Sequence, residues 1–227
     1  EELSSRVRTL LELAIPVVAE RVRAPGHSLL RMKEYGQHAT YVCQLNVALG
    51  AARLLGEQRY DALHVHLTQV IRRALEQAKG APLHSFPGLI WPFDTVPCLF
   101  SLALYERGTG QDVNAGTLSK THFDWTASHA LDEGTSLPCS QMNEKQRCTT
   151  VPRGCDLSFR LMMLFQFAPV EARTLYDGYV AHFWRERLVA AGFGEWPDGG
   201  AAREDVDSGP ILMDIGTAAT ALGIGAV

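Results

Sequence analysis

The sequence predicts an all-α fold, an α/α toroid in which about four helical hairpins make a double ring. Three observations predict it. First, two kinds of apolar stretch alternate along the 227 residues: some are apolar nearly all round, others carry one charged face. A helix without a polar face is buried on all sides, and one with a charged stripe lies against solvent. Second, a polar or aromatic signature precedes each of four apolar stretches, at His38, Asp94, Asp156 and Asp207, with separations of 56, 62 and 51 residues. Helical units repeated at such a period build solenoids or closed rings. Third, 46% hydrophobic against 20% charged residues supply one substantial core, or two small ones. In a double ring the inner helices run parallel, so their N-terminal ends and the four signatures meet on one face.

The elements follow in order. Residues 3–23 read as an amphipathic helix through Leu3, Val7, Leu10, Leu11, Leu13 and Ala14, with Pro16 expected to kink or split it. Residues 27–34 read as a loop. Residues 38–55 form an inner helix of small apolar residues that ends at Gly56, and residues 59–78 an outer helix whose charged face carries Arg72, Arg73 and Glu76. Leu99 to Tyr105 is inner again, and 112–130 is a more polar helix. Residues 131–152 are a long segment rich in Ser, Thr, Gln and Asn; loops of that length are functional or disordered, and this one is a candidate lid. Leu157 to Phe167 is strongly apolar. Pro169 opens an outer helix over 170–190 with Glu171, Arg173, Arg185 and Glu186 exposed, Gly192 to Arg203 is a Gly-rich loop, and 211–227 is the last inner helix. Residues 1–227 form a single toroid domain in this reading. Both ends look cut, as in a fragment of a longer protein.

Composition narrows the function classes. The net charge is −4 and no basic block appears, so nucleic acid is not an expected partner. No apolar run approaches the roughly 20 residues of a membrane span, and the helical pattern from Glu1 on is not expected to be a signal peptide. A soluble domain is expected, periplasmic or tethered to a membrane within a larger protein. Its expected partner is a small-molecule substrate, with a homo-oligomer also compatible. No metal site is expected: the spacings of Cys139, Cys148 and Cys155 match no zinc pattern, and His64 and His66 fall on different helix faces. Those three cysteines read as free thiols, with one disulfide in the loop as the alternative in an oxidising compartment.

The most chemically loaded stretch is Leu89-Ile90-Trp91-Pro92-Phe93-Asp94-Thr95-Val96-Pro97-Cys98. Two aromatics, a carboxylate and a thiol stand between two prolines, where a plain connection uses Gly and small polar residues. Converging helix N-termini carry unpaired N–H groups and partial positive charge, which favour a polar or anionic ligand beside Asp94, Asp156 and Asp207. The plainer alternative is that each Asp caps its helix. His38 is a candidate acid or base near neutral pH, or a hydrogen-bonded histidine at a helix start. Asp94 is a candidate to position or deprotonate a substrate hydroxyl. Cys98 is a candidate catalytic thiol at a helix N-terminus, or a buried packing residue. Arg153 pairs with Asp156, or clamps a substrate carboxylate. Trp91, Phe93, Trp125 and Trp196 offer flat faces to an apolar or sugar ligand, or belong to the core. Cys139 and Met142 sit in the candidate lid.

Tyr35-Gly36-Gln37-His38, the run from Arg59 to Ile71, the run from Asp94 to Tyr105, and Asp205-Val206-Asp207-Ser208-Gly209 resemble linalool dehydratase-isomerase. The resemblance covers most of the chain, about four of the six hairpins of that α/α barrel. It implies a cofactor-free lyase or isomerase that works by acid–base chemistry on a small alcohol or alkene at the mouth of the barrel. It places His38 on the family's pocket histidine and Cys98 on the second of two pocket cysteines. Leu89 stands where the first cysteine is expected, and Cys139 near the place of a pocket tyrosine. The expected catalytic groups are therefore His38, Asp94, Asp207 and Cys98. The expected substrate contacts are Tyr35, Trp91, Phe93, Cys139, Met142, Arg153 and Asp156. A carbohydrate-active toroid and a non-catalytic binding or assembly module are the alternatives.

Overall fold

The computed structural model describes residues 2–23, 38–198 and 203–225. Residues 27–34 and Tyr35 lie outside the described residues. Among those described, eight α-helices alternate with short connections and three two-stranded antiparallel hairpins, so the protein is mostly α. The helices are α1 (Glu2–Arg23), α2 (Ala39–Leu54), α3 (Asp61–Ala78), α4 (Thr95–Thr109), α5 (Ala115–His129), α6 (Gly154–Phe167), α7 (Pro169–Phe183) and α8 (Thr217–Ile224). The hairpins are β1–β2 (Gln141–Met142, Cys148–Thr150), β3–β4 (Trp184–Arg187, Ala190–Phe193) and β5–β6 (Ile211–Leu212, Ile215–Gly216).

The first core cluster forms around α2 and α4, whose residues are apolar on every side. Gly50 of α2 lets the two backbones approach, since a Cβ there would stand 2.9 Å from the Leu104 Cβ. A disulfide between Cys43 and Cys98 joins the helices where they pack. Asn46, fully buried, donates its amide to Thr68 Oγ1 of α3 at 3.2 Å and to Ser101 Oγ of α4 at 3.0 Å, so one side chain ties three helices. Helix α3 turns Leu63, Leu67, Ile71 and Leu75 inward and keeps Arg73 and Glu76 outside, as its spacing predicts. The second cluster gathers α6, α7 and α8 around Leu157, Leu161, Tyr179 and Phe183, with Phe123 and Phe167 packed against both clusters.

Several boundaries differ from the sequence reading. Helix α1 runs unbroken through Pro16. Its inward face is Leu11 and Ile15, four residues apart, whereas Leu10 and Leu13 are exposed. The outer helix expected over 170–190 stops at Phe183, and the chain turns back as β3–β4. Arg185, expected at the surface, is buried because its guanidinium is satisfied there: it donates to the carbonyls of His182 and Trp196 and pairs with Asp198 and Asp214. The last inner helix starts at Thr217, because Met213 and Asp214 turn with positive φ between β5 and β6. Residues 131–152 carry β1–β2, closed by a second disulfide, Cys139–Cys148. The reading of three free thiols is thus corrected. Cys155 is the free thiol among the described residues.

Cross-linking shrinks the unfolded ensemble. For the 55-residue separation of Cys43 and Cys98 that effect is about 4 kcal/mol, and for the nine-residue separation of Cys139 and Cys148 about 3 kcal/mol. Urea unfolding of Cys43→Ala/Cys98→Ala is expected to show the larger loss and Cys139→Ala/Cys148→Ala the smaller. Unchanged midpoints contradict the pairing.

Candidate functional site

The functional candidates gather where α4 and α6 begin. Pro92 opens a 3₁₀ turn (Pro92–Asp94) that runs straight into α4. The turn holds the Trp91 and Phe93 rings nearly parallel, 8° apart in plane with centroids 6.3 Å apart, and Phe93 meets Phe159 of α6 edge-on at 5.7 Å. These rings form one wall of a cup of about 470 Å³. The β1–β2 segment supplies Ser140, Gln141 and Thr150 to a second wall, and α6 supplies Cys155 and Asp156. Arg153, Trp196, Asp205, Asp207 and Leu222 complete the lining.

A polar network holds the cup. Asp156, 3% exposed, accepts from Arg160 Nε at 2.6 Å and from Ser140 Oγ at 2.5 Å. Ser140 Oγ in turn accepts the Arg153 backbone N–H at 2.9 Å. The Arg153 guanidinium donates to Glu195 Oε1 at 2.7 Å and to Asp205 Oδ1 at 2.8 Å, and it lies over the Trp196 ring at 5.2 Å. Glu195 is 1% exposed and anchors the start of α6. Its carbonyl accepts the Gly154 N–H, its Oε2 accepts the Cys155 N–H at 3.1 Å, and its Oε1 accepts the Cys155 thiol at 3.0 Å. Gly154 is required, because a Cβ would collide with the Gly194 carbonyl. Burial, together with the neighbouring Glu195 charge, pushes the Cys155 thiol up; burial also raises Glu195 against the bonds from Cys155 and Arg153.

Of the residues expected from sequence, Trp91, Phe93, Arg153, Asp156 and Asp207 share this cup. Arg153 and Asp156 do not pair with each other: each has a closer partner, Glu195 and Asp205 for the one, Arg160 for the other. Asp94 is buried and stands at the start of α4, yet its side chain makes no capping bond. Asp94 accepts instead from Thr40 Oγ1 at 2.6 Å, linking the starts of α2 and α4, and it lies within electrostatic reach of Asp156 and Arg160. His38 precedes α2, half-buried, and is not among the residues that line the cup. Three expectations are corrected. Cys98 is locked to Cys43 in the core and offers no thiol. Cys139 is buried in its bond to Cys148. Met142 packs against Ile90 and Ala130, while its neighbour Gln141 faces the cup. Trp125 stacks on His129 away from the cup, whereas Trp196 lines it.

Sequence reasoning missed Glu195, Cys155, Ser140 and Arg160. A signal for Glu195 existed in Gly192-Phe193-Gly194-Glu195-Trp196-Pro197: small residues flanking a carboxylate mark close backbone approach. Among the described residues no cluster of His, Cys, Asp and Glu is arranged to hold a metal, and no helix is long and apolar enough to cross a membrane. No protein-family model matches the chain, and no curated protein matches it.

Burial, helped by the Asp156 charge, raises the Asp94 pKa to about 6 from the usual 3.8. A raised carboxylate pKa means the folded state holds its proton longer than the unfolded state. Its contribution is therefore fully present below about pH 4 and is lost as pH rises through about 6, a change of about 3 kcal/mol. Buried His64 and His122, both lowered to about 4 by burial, act in the opposite direction, so the comparison must be with a variant that keeps them. Urea unfolding between pH 4 and pH 7 is expected to show wild type losing that stability relative to Asp94→Asn. Parallel pH profiles exclude the shift.

Proposed function

We propose that the cup is the active site of a cofactor-independent lyase or isomerase, acting by acid–base chemistry on a small alcohol or alkene. One observation carries the reading: a free thiol, Cys155, lines an aromatic-walled cup and is hydrogen-bonded from behind to a buried carboxylate, Glu195. Aromatic faces suit an apolar substrate body, and a few polar groups fix its orientation. Burial raises the Cys155 thiol, which keeps its proton and donates it to the Glu195 carboxylate. In an elimination, Cys155 passes its proton to the leaving hydroxyl, and the proton that Asp207 collects returns to the Cys155 thiolate through solvent, which resets both groups. The C–O bond breaks, water departs, and Asp207 takes the proton from the adjacent carbon. Cys155 replaces Cys98 in the thiol role, and Asp94 is a buried carboxylate near Asp156 that orders the start of α4.

The matching fold reading is an α/α toroid of about four hairpins. It is supported by the meeting of the α2, α4 and α6 starts, through Thr40 with Asp94 and Asp94 near Asp156, and by Asp207 sharing the cup ahead of α8. The Ser140, Gln141 and Thr150 wall suits a lid over such a ring. A carbohydrate substrate is the second reading. The parallel Trp91 and Phe93 faces and the exposed Asp205 and Asp207 beside Trp196 favour it.

Thermal shift with terpenoid alcohols and with oligosaccharides separates the two classes, since a ligand stabilises only the state it binds. Alcohols are expected to raise the melting temperature. Cys155→Ala is expected to stay folded and to lose turnover of the protecting alcohol by about 10²–10⁴-fold, the usual range for a proton-transfer group. Protection by oligosaccharides alone selects the sugar reading. Full turnover in Cys155→Ala removes the thiol from the chemistry.

A further inference from the structure

A second cavity, of about 380 Å³, lies between α5, α6, α7 and the segment that precedes β1. Its lining is mainly apolar, with Val96, Phe123, Leu131, Leu137, Leu164 and Leu175. Two polar side chains join that lining although each is only 3% exposed, His122 and Arg160. Both retain unused hydrogen-bonding capacity. His122 Nδ1 lies 2.8 Å from the Gly80 carbonyl oxygen, which only accepts, so Nδ1 carries the proton and Nε2 keeps a lone pair. Burial holds the ring neutral, with a pKa lowered to about 4. Arg160 donates through Nε and Nη2 to Asp156, and through Nη2 to the Cys139 carbonyl; Nη1 makes no hydrogen bond among the described residues.

His122 and Arg160 thus offer one buried acceptor and one buried donor to a mainly apolar cavity, whose remaining polar lining is Thr126 and the exposed Asp124, Ser136, Glu171 and Thr174. A hydroxyl group satisfies both, accepting from Arg160 and donating to His122. A carbonyl or ether uses only the arginine and leaves the histidine lone pair unmet, which is costly in a buried place. A carboxylate is disfavoured, because Asp156 already balances Arg160 and because Asp124 and Glu171 also line the cavity. An ammonium group meets the arginine charge. We propose that this cavity binds an apolar molecule bearing a single hydroxyl group, at a site separate from the cup. The two sites share one ion pair. Arg160 lines the cavity and Asp156 lines the cup, so a ligand that engages Arg160 acts on the cup wall.

The test follows the His122 ring by NMR in the full chain, with tryptophan variants in each site to separate binding in this cavity from binding in the cup. Titration with 1-octanol is expected to shift the ring signals saturably. Octyl methyl ether, which accepts but cannot donate, is expected to bind at least about tenfold more weakly, and octanoate likewise. Ala127→Trp and Thr174→Trp place bulk at exposed positions of the lining without touching the buried polar pair, and each is expected to weaken 1-octanol by about tenfold or more. Leu222→Trp, in the cup, is expected to leave this titration unchanged. No response of the His122 signals to 1-octanol, equal affinity for the alcohol and its ether, or unweakened binding in both tryptophan variants overturns the proposal.

Discussion

The ion pair between Asp156 and Arg160 is the constraint on which the site depends. Both side chains are almost wholly removed from water, four residues apart on α6, so neither charge is tolerable without the other. The pair survives because most of its leftover valence is used. Ser140 and Cys139 bring the β1–β2 segment onto it, one donating a hydroxyl and the other accepting at its carbonyl. Through Ser140 the pair fixes the Arg153 backbone, and the Arg153 side chain reaches Glu195 and Asp205. One buried salt bridge thereby sets the positions of two walls of the cup and touches a second cavity.

Around this centre the scaffold is made rigid by unlike means. The α2–α4 pair relies on small residues, a disulfide and the two hydrogen bonds that the Asn46 amide donates. The α6 region relies instead on backbone approach at Gly154 and on hydroxyls: Tyr179 donates to the Gly154 carbonyl and Ser158 to the Ala219 carbonyl, drawing α7 and α8 onto α6. The stretch from Trp91 to Asp94 bridges the two regions. Its rings face the cup, and its carboxylate joins the start of α2 to the start of α4.

The long helices were legible because burial imposes a period on them: α3 reads as amphipathic and α2, α4 and α6 as apolar all round, which is how they pack. The aromatics and carboxylates ahead of the inner helices were legible as a group, since five of the expected residues share one cup. Partnerships across the chain were not legible. Cys98 looks like a helix-start thiol until Cys43, 55 residues earlier, is seen to hold it. Arg185 looks like an exposed charge on an outer helix and Glu195 falls in a Gly-rich loop, and each is buried because its acceptors or donors come from distant segments. Arg160 falls inside an apolar stretch of sequence, yet its head group is the partner that Asp156 requires.

The central claim is that the Asp156–Arg160 pair holds the site together, and a double-mutant cycle measures it most directly. Removing one partner leaves a buried charge alone, so Arg160→Met is expected to cost about 3–5 kcal/mol in urea unfolding. Adding Asp156→Leu removes the orphaned charge and is expected to restore much of that loss, a coupling well above the tenths of a kcal/mol seen between independent sites. A cost below about 1 kcal/mol for Arg160→Met, or additive effects in the double variant, contradicts the account.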